Sequence, residues 1–405
     1  MINFCNKICS CLKLTNAKTE IRESILPKKE SNTKIKNLNS QLDSEKVAVV
    51  FKNQDFNLKG SINVKHATFY DFRKIACIGR GSYGTVYLVQ YKENKKYYAM
   101  KVLKKDLIKK LKQSKNTKVE REILEKIQHP FIVSLYYAFQ NSDGLFVVTE
   151  FLQGGDLFYH LRKHGIFTID QIRFYAAEIV LGIMHLHTHS IIYRDLKLEN
   201  VLLDKLGHIK LIDFGLSKIC DDIYLDNSNV SDLQAKSFCG TNDYIAPEIL
   251  LGKTYYSSVD WWSFGILLFE MAEGNPPFKL TLKDYVDELF NIKDKITFRS
   301  CHNEDLQNLI RSLLEINTEK RLGHGNNQTF IKNHSFFKGI NWDKVINKQI
   351  NPPFKPIIND LEDVSNFDSK FTKESVIENT NNEGFSLFPN PDIEHYDNFS
   401  FDTKN

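Results

Sequence analysis

The chain has 405 residues, 42% of them hydrophobic and 26% charged, with a net charge of +4. That length allows two or three domain-sized units, and the composition is that of an ordinary globular protein rather than a fibrous or membrane-spanning one. The small net charge gives no reading toward nucleic acid, no apolar run approaches the roughly 18 residues of a spanning helix, and seven scattered cysteines argue against a disulfide framework and for a reducing, cytoplasmic setting.

Charge is unevenly spread. Residues 1–60 hold 11 Lys and Arg against 6 Asp and Glu, and residues 361–405 hold 3 against 10, so a basic head and an acidic tail flank a near-neutral body. Residues 1–65 are rich in Lys, Asn and Ser and read mostly as a disordered extension. Asn3, Asn6 and Lys7 interrupt any secretory apolar run. Cys5, Ile8, Cys9 and Leu12 fall at helical spacing, with Cys11 adjacent. Two readings stay open: a frayed tail with chance cysteines, or a short membrane-surface helix carrying palmitoylated cysteines. Ile2 excludes N-myristoylation, and three cysteines without a fourth ligand disfavour zinc.

From Phe72 the pattern turns to strands. FRKIACIGRGSYGTVYLVQYK reads as a hairpin around Gly79, Gly81 and Gly84, with Ile78, Arg80, Ser82 and Tyr83 beside them. Gly-x-Gly-x-x-Gly alone is shared with dinucleotide-binding folds. Those folds need a helix straight after the glycines. Here Thr85-Val86-Tyr87-Leu88-Val89 continues as strand, which favours a lid whose backbone N–H groups approach phosphates. In KYYAMKVLKK, strand alternation puts Ala99 and Lys101 on one face. Residues 106–127 read as one helix starting near Asp106, with Glu120, Leu124 and Ile127 turned inward. LFVVTEFL, at 145–152, reads as a buried strand holding Thr149, Glu150 and Leu152; Gly154-Gly155 breaks it before Asp156. Helical patterns at 156–163 and 169–189 then mark a lobe boundary near residue 152. His185, His187 and His189, spaced two apart, fit packing and surface positions rather than metal ligation.

Residues 191–215, IIYRDLKLENVLLDKLGHIKLIDFG, carry the chemistry. Val201-Leu202-Leu203 and Ile209-Lys210-Leu211 read as short strands joined by a turn at 204–207. That hairpin brings Asp195, Lys197, Asn200 and Asp213 to one rim. Two carboxylates, a lysine and an amide make a site for Mg2+ and phosphate, since Mg2+ favours hard oxygen ligands and keeps water and substrate phosphate in its shell. A polar, acidic loop follows at 216–236, then SFCGTNDYIAPE at 237–248, and helical patterns run through 300–337. Residues 338–405 hold few periodic segments, and NPPFKP at 351–356 is expected to be extended.

YRD-x-x-x-x-N at 193–200 and DFG at 213–215 resemble the catalytic and metal-binding loops of protein kinases. Tyr193 in place of the usual His, and Leu198 in place of Pro, resemble the AGC group, in style the protein kinase B, SGK and S6 kinase branch. The resemblance spans roughly residues 70–405. It implies an α+β, bilobal fold, with a small antiparallel β-sheet and helix followed by a larger mainly helical lobe. A catalytic domain at 72–337 and a tail at 338–405 are implied too. The implied activity is transfer of the γ-phosphate of ATP, with Mg2+, to Ser or Thr of protein substrates.

Carried over residue by residue, the resemblance makes Asp195 the catalytic base, has Lys197 steady the transferring phosphate, and gives Mg2+ to Asn200 and Asp213. Ile78, Gly79, Arg80, Gly81, Ser82, Tyr83 and Gly84 form the lid. Lys101 contacts the α- and β-phosphates and pairs with Glu120. Val86, Ala99, Leu202, the gatekeeper Thr149 and the hinge residues Glu150 and Leu152 surround adenine, and Asp156 lies near the ribose. Asp260 braces the catalytic loop, and Glu248 pairs with Arg321. Ser237 is the activation-loop phosphosite, with Arg194 as a partner for its phosphate. NFDSKFT at 366–372 resembles the tail segment that crosses the cleft; residues 396–401 resemble the hydrophobic motif, with Ser400 as a phosphosite. Asp156, Glu199 and Glu270 would form acidic subsites favouring Arg upstream of the target. An upstream activating kinase, protein substrates and a monomeric state are implied. The stretch Gly240-Thr241-Asn242-Asp243 departs from the family's GTPE, which bears on substrate detail. A scaffold without catalysis is the alternative, disfavoured because every catalytic position holds the required chemistry.

Overall fold

A computed structural model describes residues 67–81, 84–220, 242–278, 296–325, 328–374 and 396–403. Cys5, Cys9, Cys11, Ser82, Tyr83 and Ser237 lie outside the described residues. Strands β1 (Phe72–Arg80), β2 (Gly84–Tyr91), β3 (Tyr97–Lys104), β4 (Leu135–Gln140) and β5 (Gly144–Glu150) form an antiparallel sheet. Alternation along β3 sorts its side chains as expected. Tyr98, Met100 and Val102 enter a core with Phe72, Val89, Phe139, Phe146 and Val148. Ala99 and Lys101 take the other face, with Val86 of β2 and Val147 of β5 flanking Lys101. A register shift between Cys77 and Gly79 bends β1 where the glycine turn begins.

The expected single helix over 106–127 is two: α1 (Lys105–Lys110) and α2 (Ser114–Lys126). The first ends as Gln113 N donates to Ile108 O, with Lys112 at φ 55°. Such a left-handed stop is usually marked by Gly or Asn. A lysine there leaves no trace in the sequence, and the helical periodicity runs straight through the break.

After Glu150 the chain turns helical. Asp156 caps α3 (Leu157–His164) by accepting from Tyr159 N at 2.7 Å. A capping box of Thr168 and Gln171 starts α4 (Ile169–Thr188). The short strands β6 (Ile191–Ile192) and β9 (Lys218–Ile219) pair, as do β7 (Val201–Leu203) and β8 (Ile209–Leu211). Below them lies α5 (Ser258–Glu273), whose Trp261 and Trp262 are fully buried. Beside it Arg321 grips Glu248 with two bonds of 2.6 and 2.9 Å, both groups buried.

Residues 338–374 pack back along the cleft. Lys348 pairs with Asp204 at 2.9 Å. Gly207 sits at φ 97°, and a Cβ there would fall 2.1 Å from Phe354 O, so only glycine lets the tail lie on this turn. Asn366 donates to Gln153 O, and Phe367 packs among Ala76, Ile78 and Leu88 while stacking on Phe151. Tyr396 and Phe399 are buried beside α2, the Tyr396 hydroxyl donating to Ser114 Oγ at 2.8 Å. A final strand, β10 (Phe401–Asp402), joins β4 at the sheet edge, giving the order β1-β2-β3-β5-β4-β10. No helix among the described residues is long and apolar enough to cross a membrane.

Candidate active site

Lys101, carried on the cleft face of β3, donates to Glu120 Oε1 of α2 at 2.7 Å and to Asp213 Oδ1 at 3.0 Å. This one ammonium joins the sheet, its packed helix and the loop after β8. Burial raises the Glu120 carboxyl above the usual range, with Lys101 opposing. For Asp213 the balance tips the other way. Burial would raise it, but Lys101 and the Gly215 N–H outweigh that and hold it below the carboxylate range. Asp213 is also in the left-handed region, at φ 56°. That is sterically costly for a non-glycine residue and aims its carboxylate into the cleft.

The second group lies on the loop before β7. Lys197 Nζ donates to both Asp195 oxygens at 2.8 and 3.0 Å, and Asn200 Nδ2 donates to Asp195 O and Oδ2 at 2.8 Å each. Burial lifts the Asp195 carboxyl; Lys197 opposes the shift, and Asp213 adds to it. The two carboxylates therefore feel each other, and the four rim residues expected from the sequence come together. Asn200 has spent its amide N–H, which leaves its amide oxygen, with the second oxygen of Asp213, as hard donors for a divalent cation. Among the described residues no group of three or more His, Cys, Asp or Glu could hold a metal unaided. A two-ligand site completed by phosphate and water fits that donor set.

The loop is braced from below. Asp260 accepts from Tyr193 N at 2.9 Å, Arg194 N at 2.7 Å and His187 Nε2 at 2.7 Å, and is wholly buried. The resemblance named Asp260 for this brace, whereas sequence reasoning assigned His187 to packing and missed its bond to Asp260. The guanidinium of Arg194, expected to meet a phosphate, donates to Leu216 O, Ser217 O and the Tyr255 hydroxyl.

At the nucleotide end, Gly81 N donates to Gly84 O at 2.9 Å, closing the turn over the cleft. A Cβ on Gly84 would meet Leu103 and Val102 at 2.6 and 2.7 Å. Val86 and Ala99 pack with Ile78 and Phe367 in one apolar cluster. Thr149 pairs with Ala99 across the sheet, Leu152 is buried, and Leu202 bridges to Asp156. The Glu150 side chain turns away, accepting from Ser134 N at 2.8 Å and Lys210 Nζ at 2.7 Å. Lys210, buried on β8, also donates to Ile132 O. This bracket behind the hinge escaped the sequence reading, although a lysine inside the apolar run 209–212 was its signal.

A third set is acidic and forms no ion pair with a cation among the described residues. Asp156 is pushed up to about 6 by burial and by Glu199. Glu270 is pushed up to about 7 by burial, with Glu199 and Asp243 adding to it against a hydrogen bond from the Tyr244 hydroxyl. Glu199 keeps one buried carboxylate oxygen without a partner.

The family of protein kinase domains matches residues 72–337. A probable serine/threonine-protein kinase of Dictyostelium discoideum is 45% identical over 291 residues, covering 72% of this chain and 62% of that one. The serine/threonine-protein kinase Sgk1 of Homo sapiens is 43% identical over 329 residues, 80% of this chain and 73% of that protein. A RAC family serine/threonine-protein kinase homolog of Dictyostelium discoideum is 43% identical over 307 residues, 75% and 66% of the two chains.

Proposed function

The chain belongs to the protein kinase domain family, and we propose a division of labour for its cleft. It is a serine/threonine protein kinase of the AGC group, using ATP and a divalent cation. The observation that carries the assignment of roles is Lys101 reaching Glu120 and Asp213 at once. One cation holds both lobes in register where the triphosphate would lie. Lys101 then binds the α- and β-phosphates beneath the glycine turn. Mg2+, held by Asn200 and Asp213, would neutralise charge on the β- and γ-phosphates. Asp195 orients the substrate hydroxyl and accepts its proton, and Lys197, already on the Asp195 carboxylate, meets the charge of the transferring group.

The acidic trio defines the substrate class. Asp156, Glu199 and Glu270 form no ion pair with a described residue, and Asp156 and Glu270 are each pushed upward by burial and by Glu199. Such a pocket favours a protein segment that brings its own guanidinium, so Arg upstream of the target Ser or Thr is the preferred recognition element. A peptide library without basic preference rejects this.

The organisation that follows is an extension at 1–65, a catalytic domain at 72–337 and a tail at 338–405, with phosphorylation by an upstream kinase at Ser237 and at Ser400. Phosphopeptide mapping of the native protein, paired with activity before and after phosphatase, tests that regulation. The catalytic roles are tested by labelled phosphate transfer to an Arg-containing serine peptide. Asp195→Asn is expected to lower kcat by about 10²–10⁴, and wild-type activity in that variant rejects the assignment.

A further inference from the structure

The break between α1 and α2 leaves a surface that nothing in the catalytic cleft requires. Residues 104–118 hold seven lysines and a single acid, Asp106. Six of those lysines, Lys104, Lys109, Lys110, Lys112, Lys115 and Lys118, are exposed. None of the six forms an ion pair with a described residue, and the acids on the following turns are committed elsewhere. Glu120 holds Lys101, Glu122 holds Lys126, and Glu125 holds Arg121. Set among these charges are Leu107 and Leu111, 36% and 41% exposed. They lie four residues apart and so on one side of the turn.

We propose that this basic, leucine-bearing face of the sheet lobe docks on an anionic membrane surface. Lysines at such a surface each gain from the negative potential of the leaflet, and the two leucines enter the boundary between headgroups and acyl chains. The leucines decide the occupant. An acidic peptide or other soluble polyanion would satisfy the lysines and leave both apolar side chains in water. A patch of this size gives weak, reversible attachment that needs a second signal. The sequence carries candidates for one in Cys5, Cys9, Cys11 and the basic excess of residues 1–60.

The test uses the full chain, unacylated, sedimented with phosphatidylcholine vesicles that contain or lack phosphatidylserine. Binding is expected only with phosphatidylserine and should fall with added salt. Replacing Lys109, Lys110, Lys112 and Lys115 by Gln should weaken partitioning by at least about tenfold, given roughly fivefold per lysine. Leu107→Ser with Leu111→Ser, which keeps every charge, should weaken it by about threefold or more. Activity on a soluble peptide and the unfolding midpoint should match wild type in both variants, which separates docking from misfolding. A lysine variant that partitions like wild type overturns the proposal, because the basic head alone then accounts for binding. So does a protein that ignores phosphatidylserine vesicles yet captures a poly-glutamate peptide through the same lysines; that result assigns the face to an acidic protein partner.

Discussion

The two ends of the cleft treat charge in opposite ways. Where phosphate transfer would occur, each carboxylate has a cation within about hydrogen-bond distance: Glu120 and Asp213 share Lys101, and Asp195 has Lys197. Where the protein substrate would lie, Glu199 bears on both Asp156 and Glu270, and none of the three pairs with a cation among the described residues. The first arrangement is preorganised: its dipoles and charges are set before the ligand arrives, so little reorganisation is needed at the moment of transfer. The second holds unfavourable free energy in the empty state that an incoming guanidinium would release. On the proposed reading, a single fold keeps a preorganised half for chemistry and a charge-starved half for selection.

The comparison breaks most visibly at Lys101. Lys101→Met removes the cation that two carboxylates share, leaving buried Glu120 without its ion pair and Asp213 with only the Gly215 N–H and the more distant Lys197 to offset its charge. The expected loss is about 10²–10³ in kcat, or ~3–4 kcal/mol of transition-state stabilisation. Steady-state kinetics on a soluble peptide checks it. A loss confined to KM for ATP would mean that the lysine only binds nucleotide.

Glu270→Gln sharpens the other half. The amide still accepts from the Tyr244 hydroxyl but attracts no guanidinium. KM for an Arg-containing peptide should rise by about 10–100-fold, or ~1.4–2.7 kcal/mol, with kcat nearly unchanged. The pH profile gives a second readout. Guanidinium binding needs ionised carboxylates, so wild-type KM should fall as pH rises through about 6 and 7, the values for Asp156 and Glu270. In Glu270→Gln the upper step should vanish.

Stability should move in the opposite sense. A carboxyl raised in the folded state binds its proton more tightly there than when unfolded. Its contribution is present below the ordinary carboxylate range and is lost as pH rises toward about 7. Glu270→Gln should therefore raise the unfolding free energy at pH 8, with a ceiling of about 3 kcal/mol, and leave it near wild type at pH 4. Denaturant melts at the two pH values distinguish this from a general loss of packing. A variant that binds peptide less well and melts later at pH 8 is the signature of a charge-starved pocket.

The preorganised half was the more legible in the sequence, for a physical reason. Asp195, Lys197, Asn200 and Asp213 flank one short hairpin, so local strand and turn patterns suffice to bring them to one rim. Lys101 was readable because alternation along β3 assigns its face. Glu120 could be turned inward by periodicity, but its partner came only from resemblance. The stop at Lys112 was hidden because the residue in the left-handed region was not glycine. The Glu150–Lys210 bracket and the His187–Asp260 brace were hidden because each joins segments dozens of residues apart, and neither a strand nor a helix period reports on such pairs.

The smallest effect concerns the link between the glycine turn and the tail. Arg80 reaches Glu374 at 2.6 Å, but the two side chains are 52% and 38% exposed. An exposed pair of this kind contributes about 0.2–1 kcal/mol and is screened by salt. Buried tail contacts nearby, Phe367 on Phe151 and Asn366 on Gln153 O, hold the segment independently of that charge. Glu374→Gln should therefore raise KM for ATP less than about threefold, and the difference from wild type should fade at high ionic strength. A larger change that persists in salt would mean that Glu374 positions the turn over the phosphates by more than charge. The glycine turn would then belong with the preorganised half of the cleft rather than to a loosely tethered rim.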